Sequence, residues 1–336
     1  MTLILRPEQD ELLQRINNLA ADRYDVTASP NEFVCAAPED ENSDEPKYLL
    51  KGQEIGFSQS AIGQLLIKIK IPAAFYNRCP AWLKIHNLTY FNNQHKNNYL
   101  FRMEPDHNAR ATLSDSYGVI DDKDLFPLLF ENLANRSDIA LRKFQQDPYI
   151  TQLAIDFTDA VGEYNGEAYC AGLLITNSET GHSAVWIEPV VHIPSCSFVG
   201  RNVLKRQGID CRIIHRGQFP AERVLSLINQ AKDAAQVGIV QLAEAFNKTI
   251  DTKQAITFAR NVENLPNRFV QILEEEWENQ HRIARAEAAR RIINLAQELP
   301  LFQRIQVEQK AGDFIGLFDH YQSRFSEIIK EIQNDD

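Results

Sequence analysis

Tyr149-Ile150-Thr151-Gln152-Leu153-Ala154-Ile155-Asp156-Phe157 is rich in β-branched and aromatic residues and reads as a strand. Tyr169 to Thr176 reads as its neighbour. The residues that follow, Asn177-Ser178-Glu179-Thr180-Gly181-His182, carry turn chemistry, with Gly181 free to take a positive φ. Val185–Ile193 and Cys211–His215 complete an expected antiparallel set of four strands. Beyond them the texture changes. Pro220 suits the first turn of a helix, and Val224, Ile228, Ala231, Ala235, Ile239, Leu242 and Phe246 recur at a mean step of about 3.67 residues, the spacing of an amphipathic helix.

Helical periodicity continues to the end of the sequence. Asp251 with Gln254 resembles a capping box for a short helix. Pro266 starts a longer one carrying Phe269, Leu273, Trp277, Ala284, Ala288, Ile292 and Leu295, which stops before Pro300. A last helix is expected through Phe314, Leu317, Phe318, Tyr321, Phe325, Ile328 and Ile329. Upstream of the strands, Ser58 or Ser60 can cap a helix with Ile62, Leu65, Leu66 and Ile69 on one face, closed by Pro72. Asp121 or Asp122 can cap another through Leu125, Leu128, Leu129 and Leu133. At the N-terminus Leu12, Leu13, Ile16 and Leu19 have helical spacing, and residues 37–46 form an acidic, proline-bounded stretch that reads as a solvated loop. The expected fold is α+β, an antiparallel sheet with flanking helices followed by an all-helical C-terminal domain. The expected units are 1–56 (helix and acidic loop), 57–217 (α+β core) and 218–336 (helical).

The 336 residues carry 44% hydrophobic and 24% charged side chains, which excludes wholesale disorder. No apolar run approaches membrane-spanning length, and the first residues do not read as a signal peptide. Five cysteines without a CxxC pair point to a reducing, cytoplasmic setting. The net charge of −11 is uneven: residues 57–110 carry +5 and residues 201–217 carry +4, separated by a stretch of −9.

Several stretches resemble a phage- and plasmid-associated family catalogued as domain of unknown function 932. They are Phe57-Ser58-Gln59-Ser60-Ala61-Ile62-Gly63-Gln64-Leu65-Leu66 running into Ile71-Pro72, Arg110-Ala111-Thr112-Leu113-Ser114-Asp115-Ser116-Tyr117, Asn177-Ser178-Glu179-Thr180-Gly181, and Cys196 followed by His215-Arg216-Gly217. Together they span roughly residues 57–217. Ser116 stands where the family usually has arginine, and Ser197-Phe198-Val199-Gly200 where it usually has an Asn-Gly pair. The resemblance implies a mobile-element setting, and with it nucleic-acid handling or host–element conflict rather than metabolism. A strand-rich unit followed by a helix is also similar to phage single-strand annealing proteins.

Four groups of residues are candidates for chemistry. His192-x3-Cys196 and Cys211-x3-His215 are mirror-image pairs whose even spacing puts each pair on one sheet face, a set that would suit tetrahedral zinc if the strands met. Their alternative reading is as small buried cysteines and edge histidines. Asp115, Asp121, Asp122 and Asp124 could hold magnesium for nuclease or phosphotransfer chemistry, and they equally suit a helix start. Ser178 with His182, and Cys196 with His192, have the residue types of nucleophile and base but no visible oxyanion device. No phosphate-loop, dinucleotide or HExxH motif is present.

The basic islands are the fourth group. Lys68, Lys70, Arg78, Lys84, Lys96, Arg102 and Arg110 interleave with rings that include Trp82 and Tyr90. Arg201, Lys205, Arg206, Arg212 and Arg216 form the second island. Cationic grooves that track phosphates, with rings on which bases stack, are how single strands are held. The expected function is therefore a non-enzymatic, homo-oligomeric nucleic-acid-binding protein, single-strand binding or annealing, with no cofactor and no membrane. The alternatives are a protein-interaction regulator acting through the acidic surface and helical tail, and a metal-dependent nuclease or hydrolase.

Overall fold

The computed structural model describes residues 5–40, 43–133, 138–164, 167–193, 196–199, 211–217, 221–262 and 265–315. The fold is α+β: two antiparallel-dominated sheets with helices packed on them, and a helical C-terminal region. Helix α1 (Leu5–Ala20) precedes four short strands, β1 (Tyr24–Ala28), β2 (Phe33–Ala36), β3 (Lys47–Leu50) and β4 (Gln53–Phe57). Three helices follow, α2 (Gln59–Lys68), α3 (Ala73–Tyr76) and α4 (Ala81–Gln94), then β5 (Tyr99–Met103) and β6 (Asn108–Ser114). These strands form one sheet in the order β1-β5-β6-β4-β3-β2, antiparallel except where β4 meets β6. The Ser58 hydroxyl caps α2 by accepting from the Ala61 amide at 3.1 Å, and Ala61, Leu65, Leu66 and Ile69 turn inward. They meet Phe33, Tyr48, Tyr99 and Phe101 in one apolar cluster. Because β5 and β6 pair with β1 and β4, the expected boundary at 56/57 lies inside a sheet. Aromatic and β-branched residues also recur in α4, where Leu88 and Asn92 are buried.

The second sheet contains the strands expected at 149–157, 169–176 and 185–193. After α5 (Asp122–Leu133) come β7 (Ile139–Gln146), β8 (Thr151–Tyr164), β9 (Glu167–Asn177), β10 (Val185–Ile193), β11 (Cys196–Val199) and β12 (Arg212–Ile213). The order is β11-β10-β9-β8-β7, with β12 pairing β10. Leu153, Ile155 and Phe157, Ala171, Leu173 and Ile175, and Val185, Ile187 and Val191 lie on one face by strict alternation. That face is covered by α6 (Ala221–Asn247), whose stripe Val224, Ile228, Ala231, Ala235 and Leu242 is buried against it. Each large apolar side chain so buried contributes about 1.5–3 kcal/mol. The 217/218 boundary therefore separates no cores: the helix just beyond it and the sheet just before it share one. The same packing buries this stripe within the chain.

β13 (Thr249–Asp251), α7 (Thr252–Asn261), α8 (Asn267–Trp277), β14 (Arg282–Ala284), α9 (Arg285–Ala296) and α10 (Leu301–Phe314) complete the described chain. Asp251 caps α7 through the Lys253 amide, at 2.8 Å. The single long helix expected from Pro266 to Leu299 is two helices. Glu274-Glu275-Glu276 crowd the negative end of α8, where acids are unfavourable, and the chain then pairs β14 with β13, Ile283 opposite Ile250. Glu276 pairs with Arg291 and Glu274 with Arg260, so these charges are matched within one chain. The expected last helix beyond residue 315 lies outside the described residues. Among the described residues, no helix is long and apolar enough to cross a membrane.

Candidate functional site

The first basic island divides in two. Lys84, Arg102 and Arg110 turn inward and are consumed by the fold. Lys84 is buried beside the Tyr76 ring, 5.2 Å from its centroid, and donates to Glu45 at 2.5 Å. Arg102 donates to Asp25 at 3.1 Å and to the Glu179 carbonyl at 2.8 Å, and pairs with Asp121 at 2.6 Å. Arg110 donates to the Glu179 carboxylate at 2.7 Å. These three belong to the interior and are withdrawn from the nucleic-acid set.

The rest of that island faces outward. Lys70, Arg78 and Lys96 are exposed, and Lys68 is half-buried at the end of α2. Beside them Trp82 is 68% and Tyr90 55% exposed, although rings of this size are mostly buried. Phe75 and Phe91 are exposed too, whereas Tyr76, Tyr99 and Phe101 are core. No Asp or Glu occurs between Glu54 and Glu104, so the outer surface of α2, α3 and α4 carries cations and rings without a carboxylate of its own. In the second island Arg212 and Arg216 are exposed, with Arg212 placed 5.9 Å over the Trp186 ring. Arg201, Lys205 and Arg206 lie outside the described residues. The islands approach each other at the turn 115–118: the Lys68 ammonium feels Asp115, and the Gly118 amide donates to the His215 carbonyl at 2.9 Å, one residue before Arg216.

The zinc quartet does not converge. Arg212 faces Trp186 and the Ile187 amide donates to the Cys211 carbonyl, which places Cys211 opposite Ile187. His192 is five residues further along β10, roughly 17 Å at 3.3–3.4 Å per residue. Cys196 lies across from Ile193, next to His192, while His215 stacks on Tyr117 at 4.8 Å at the far end. Burial pulls the His215 imidazole down to about 4. Among the described residues, no group of three or more His, Cys, Asp or Glu is placed to hold a metal. The aspartates divide likewise: Asp121 and Asp122 are buried, Asp115 and Asp124 exposed. Ser178 is buried, its hydroxyl donating to the Tyr149 carbonyl at 2.6 Å and accepting from the His182 amide at 3.0 Å, which leaves it no nucleophile's position.

Three of the resembling stretches, 57–66, 110–117 and 177–181, come together around the connection from β9 to β10. Gln64 donates to the Thr180 carbonyl at 2.7 Å and accepts from the Thr112 amide at 2.8 Å. Tyr117 donates to the Ser178 carbonyl at 3.0 Å, and Ser60 hydrogen-bonds His182 at 2.5 Å. Gly181 takes φ +77°, the conformation expected of it, and a Cβ there would meet the Leu113 side chain at 2.7 Å. At the centre the Glu179 carboxylate accepts from Arg110, from Arg23 at 3.3 Å and from the Asp122 amide at 2.9 Å. Burial opposes the Glu179 charge, yet Arg110, the Asp122 amide and Arg102 together hold its carboxyl below the usual range. Burial and the Glu179 charge push Asp122 the other way, against hydrogen bonds from Thr151 at 2.5 Å and Asn177 at 2.7 Å.

A cleft of about 590 Å³ opens beside this cluster, where the two sheets meet. Its walls come from α1, from the start of α2, from Arg110 on β6 and from the β7–β8 turn at 146–151. The sequence marks 177–182 as a turn, a resembling stretch and a Ser178–His182 pair, but not as an ion-pair centre; the run of polar residues Asn177-Ser178-Glu179-Thr180 at the end of an apolar strand was the signal available for it. No protein-family model matches this chain, and no curated protein or solved structure matches it either.

Proposed function

We propose that the protein binds single-stranded nucleic acid on the outer surface of α2, α3 and α4. The observation that carries this reading is the exposure of Trp82 and Tyr90 amid Lys70, Arg78 and Lys96, on a carboxylate-free segment of a chain with net charge −11. A globally acidic protein repels polyanions at long range, so a local cationic surface restricts them to one place. Phosphates meet the ammonium and guanidinium groups, and unpaired bases stack on the rings, which a duplex cannot offer.

Fluorescence anisotropy with labelled single- and double-stranded oligonucleotides across a salt series tests it. Affinity is expected to fall with salt, the slope being about −0.7 per phosphate contact on single strands. Replacing Lys70, Arg78 and Lys96 together by Gln should flatten the slope by about two. Trp82→Ala should cost about 1–3 kcal/mol at unchanged slope. Absence of binding to either form at about 50 mM salt overturns the proposal, because phosphate contacts are strongest there.

A further inference from the structure

We infer that the cleft between the two sheets binds a nucleoside monophosphate, either free or as the phosphorylated end of a strand. Its volume, about 590 Å³, lies within the 300–1,000 Å³ of small-molecule sites, and such sites favour the junction of two structural units. Its wall of donors fits a phosphate. Arg15 stands exposed at the rim, against the Phe144 ring, with no carboxylate partner among the described residues. The Arg110 Nε is buried without an acceptor, the Glu104 carboxylate standing 3.9 Å away. A buried donor left open is uncommon in a folded protein. Ser58, Gln59 and Ser60 bring the start of α2 to the same wall; Ser58 caps the Ala61 amide, and the Gln59 and Ser60 amides have no partner within the helix.

The opposite wall fits a flat heterocycle. Pro148, Tyr149 and Ile150 line it, and the Asp147 carboxylate fixes the turn by accepting from the Tyr149 and Ile150 amides at 2.7 and 2.8 Å. The Tyr149 ring is further held edge-on by His182, at 4.8 Å between centroids. A ring positioned in this way stacks without losing freedom on binding. Charge limits the ligand to one phosphate. Glu104 and Glu179 already neutralise Arg23 and Arg110, and Asp122 and Asp147 also line the cleft, so each further phosphate would meet these carboxylates with Arg15 the one lining arginine not paired to an acid among the described residues.

The inference uses none of the residues proposed for the α2–α4 surface, so the two readings fail separately. Isothermal titration of the full chain with each common nucleoside 5′-monophosphate, with the matching nucleoside and with inorganic phosphate tests it. At least one monophosphate should bind, with its nucleoside and inorganic phosphate each at least tenfold weaker. Arg15→Ala and Tyr149→Ala are at exposed positions, so the fold is expected to persist, as thermal unfolding will verify. Each should weaken the monophosphate at least tenfold and leave the oligonucleotide salt slope unchanged, while Trp82→Ala leaves the monophosphate untouched. A 5′-phosphorylated oligonucleotide that outcompetes its 5′-hydroxyl twin assigns the ligand to strand ends, and equal competition assigns it to free nucleotides. No heat with any monophosphate at millimolar concentration, or undiminished binding by both variants, overturns the inference.

Discussion

Replacing Arg102 by Met separates the interior charges from the surface ones. The guanidinium is 3% exposed and reaches three acceptors: Asp25, Asp121 and the Glu179 carbonyl. The Asp25 side chain is 35% exposed, so that pair is screened and contributes at most about 1 kcal/mol. Asp121 is only 13% exposed, and losing its cation leaves a buried carboxylate uncompensated, a loss of about 3–5 kcal/mol. Methionine fills similar space, so cavity formation adds little. Urea unfolding at pH 7.5 should show a lower midpoint at unchanged slope. Burial already raises the Asp121 carboxyl and Arg102 draws it down, so the substitution raises it further. An acid whose folded pKa exceeds its unfolded value destabilises once ionised, so the deficit should be full at high pH and shrink as pH falls through the new pKa. A loss below about 1 kcal/mol, or a flattened oligonucleotide salt slope at wild-type stability, would show that Arg102 serves the surface instead.

Two further outcomes are expected. Asp122 and Glu308 are both pushed up to about 7, chiefly by burial, so the folded state holds their protons more tightly than the unfolded chain. Stability should therefore decline as pH rises from about 5 to 8, and Glu308→Gln should flatten that decline; calorimetric melting across this range measures it. Gly172→Ala places a Cβ 2.3 Å from the Ile155 carbonyl oxygen and 2.6 Å from the His192 ring. Because both neighbours sit in a central strand pairing, the cost should be about 1–3 kcal/mol, read from chemical denaturation.

Elements whose side chains follow one period were legible. Val224, Ile228 and Leu242 announce a helix, and Leu153, Ile155 and Phe157 a strand, because burial on one face imposes its period on the sequence. The break at residues 278–284 was not, since it depends on pairing with Thr249–Asp251, a partner more than 30 residues distant that leaves no local mark. Charge counts failed for a related reason. Lys84 and Lys96 are both lysines on or beside α4, yet one meets Glu45 inside and the other meets solvent, and a linear tally treats them alike. The cleft was least legible, because Arg15, Ser60, Arg110 and Tyr149 are brought together only by the packing of one sheet against the other.

The β9–β10 connection also bears on how quickly the native state opens. Glu179 is joined to Arg23 across 156 positions and His182 to Ser60 across 122, so the bonds of this connection close long loops around the cleft. Contacts that span long loops carry a larger closure entropy and are expected to form late. Interactions absent from the folding transition state act mainly on the unfolding rate. Weakening this connection should therefore shorten the lifetime of the joined sheets far more than it slows their formation.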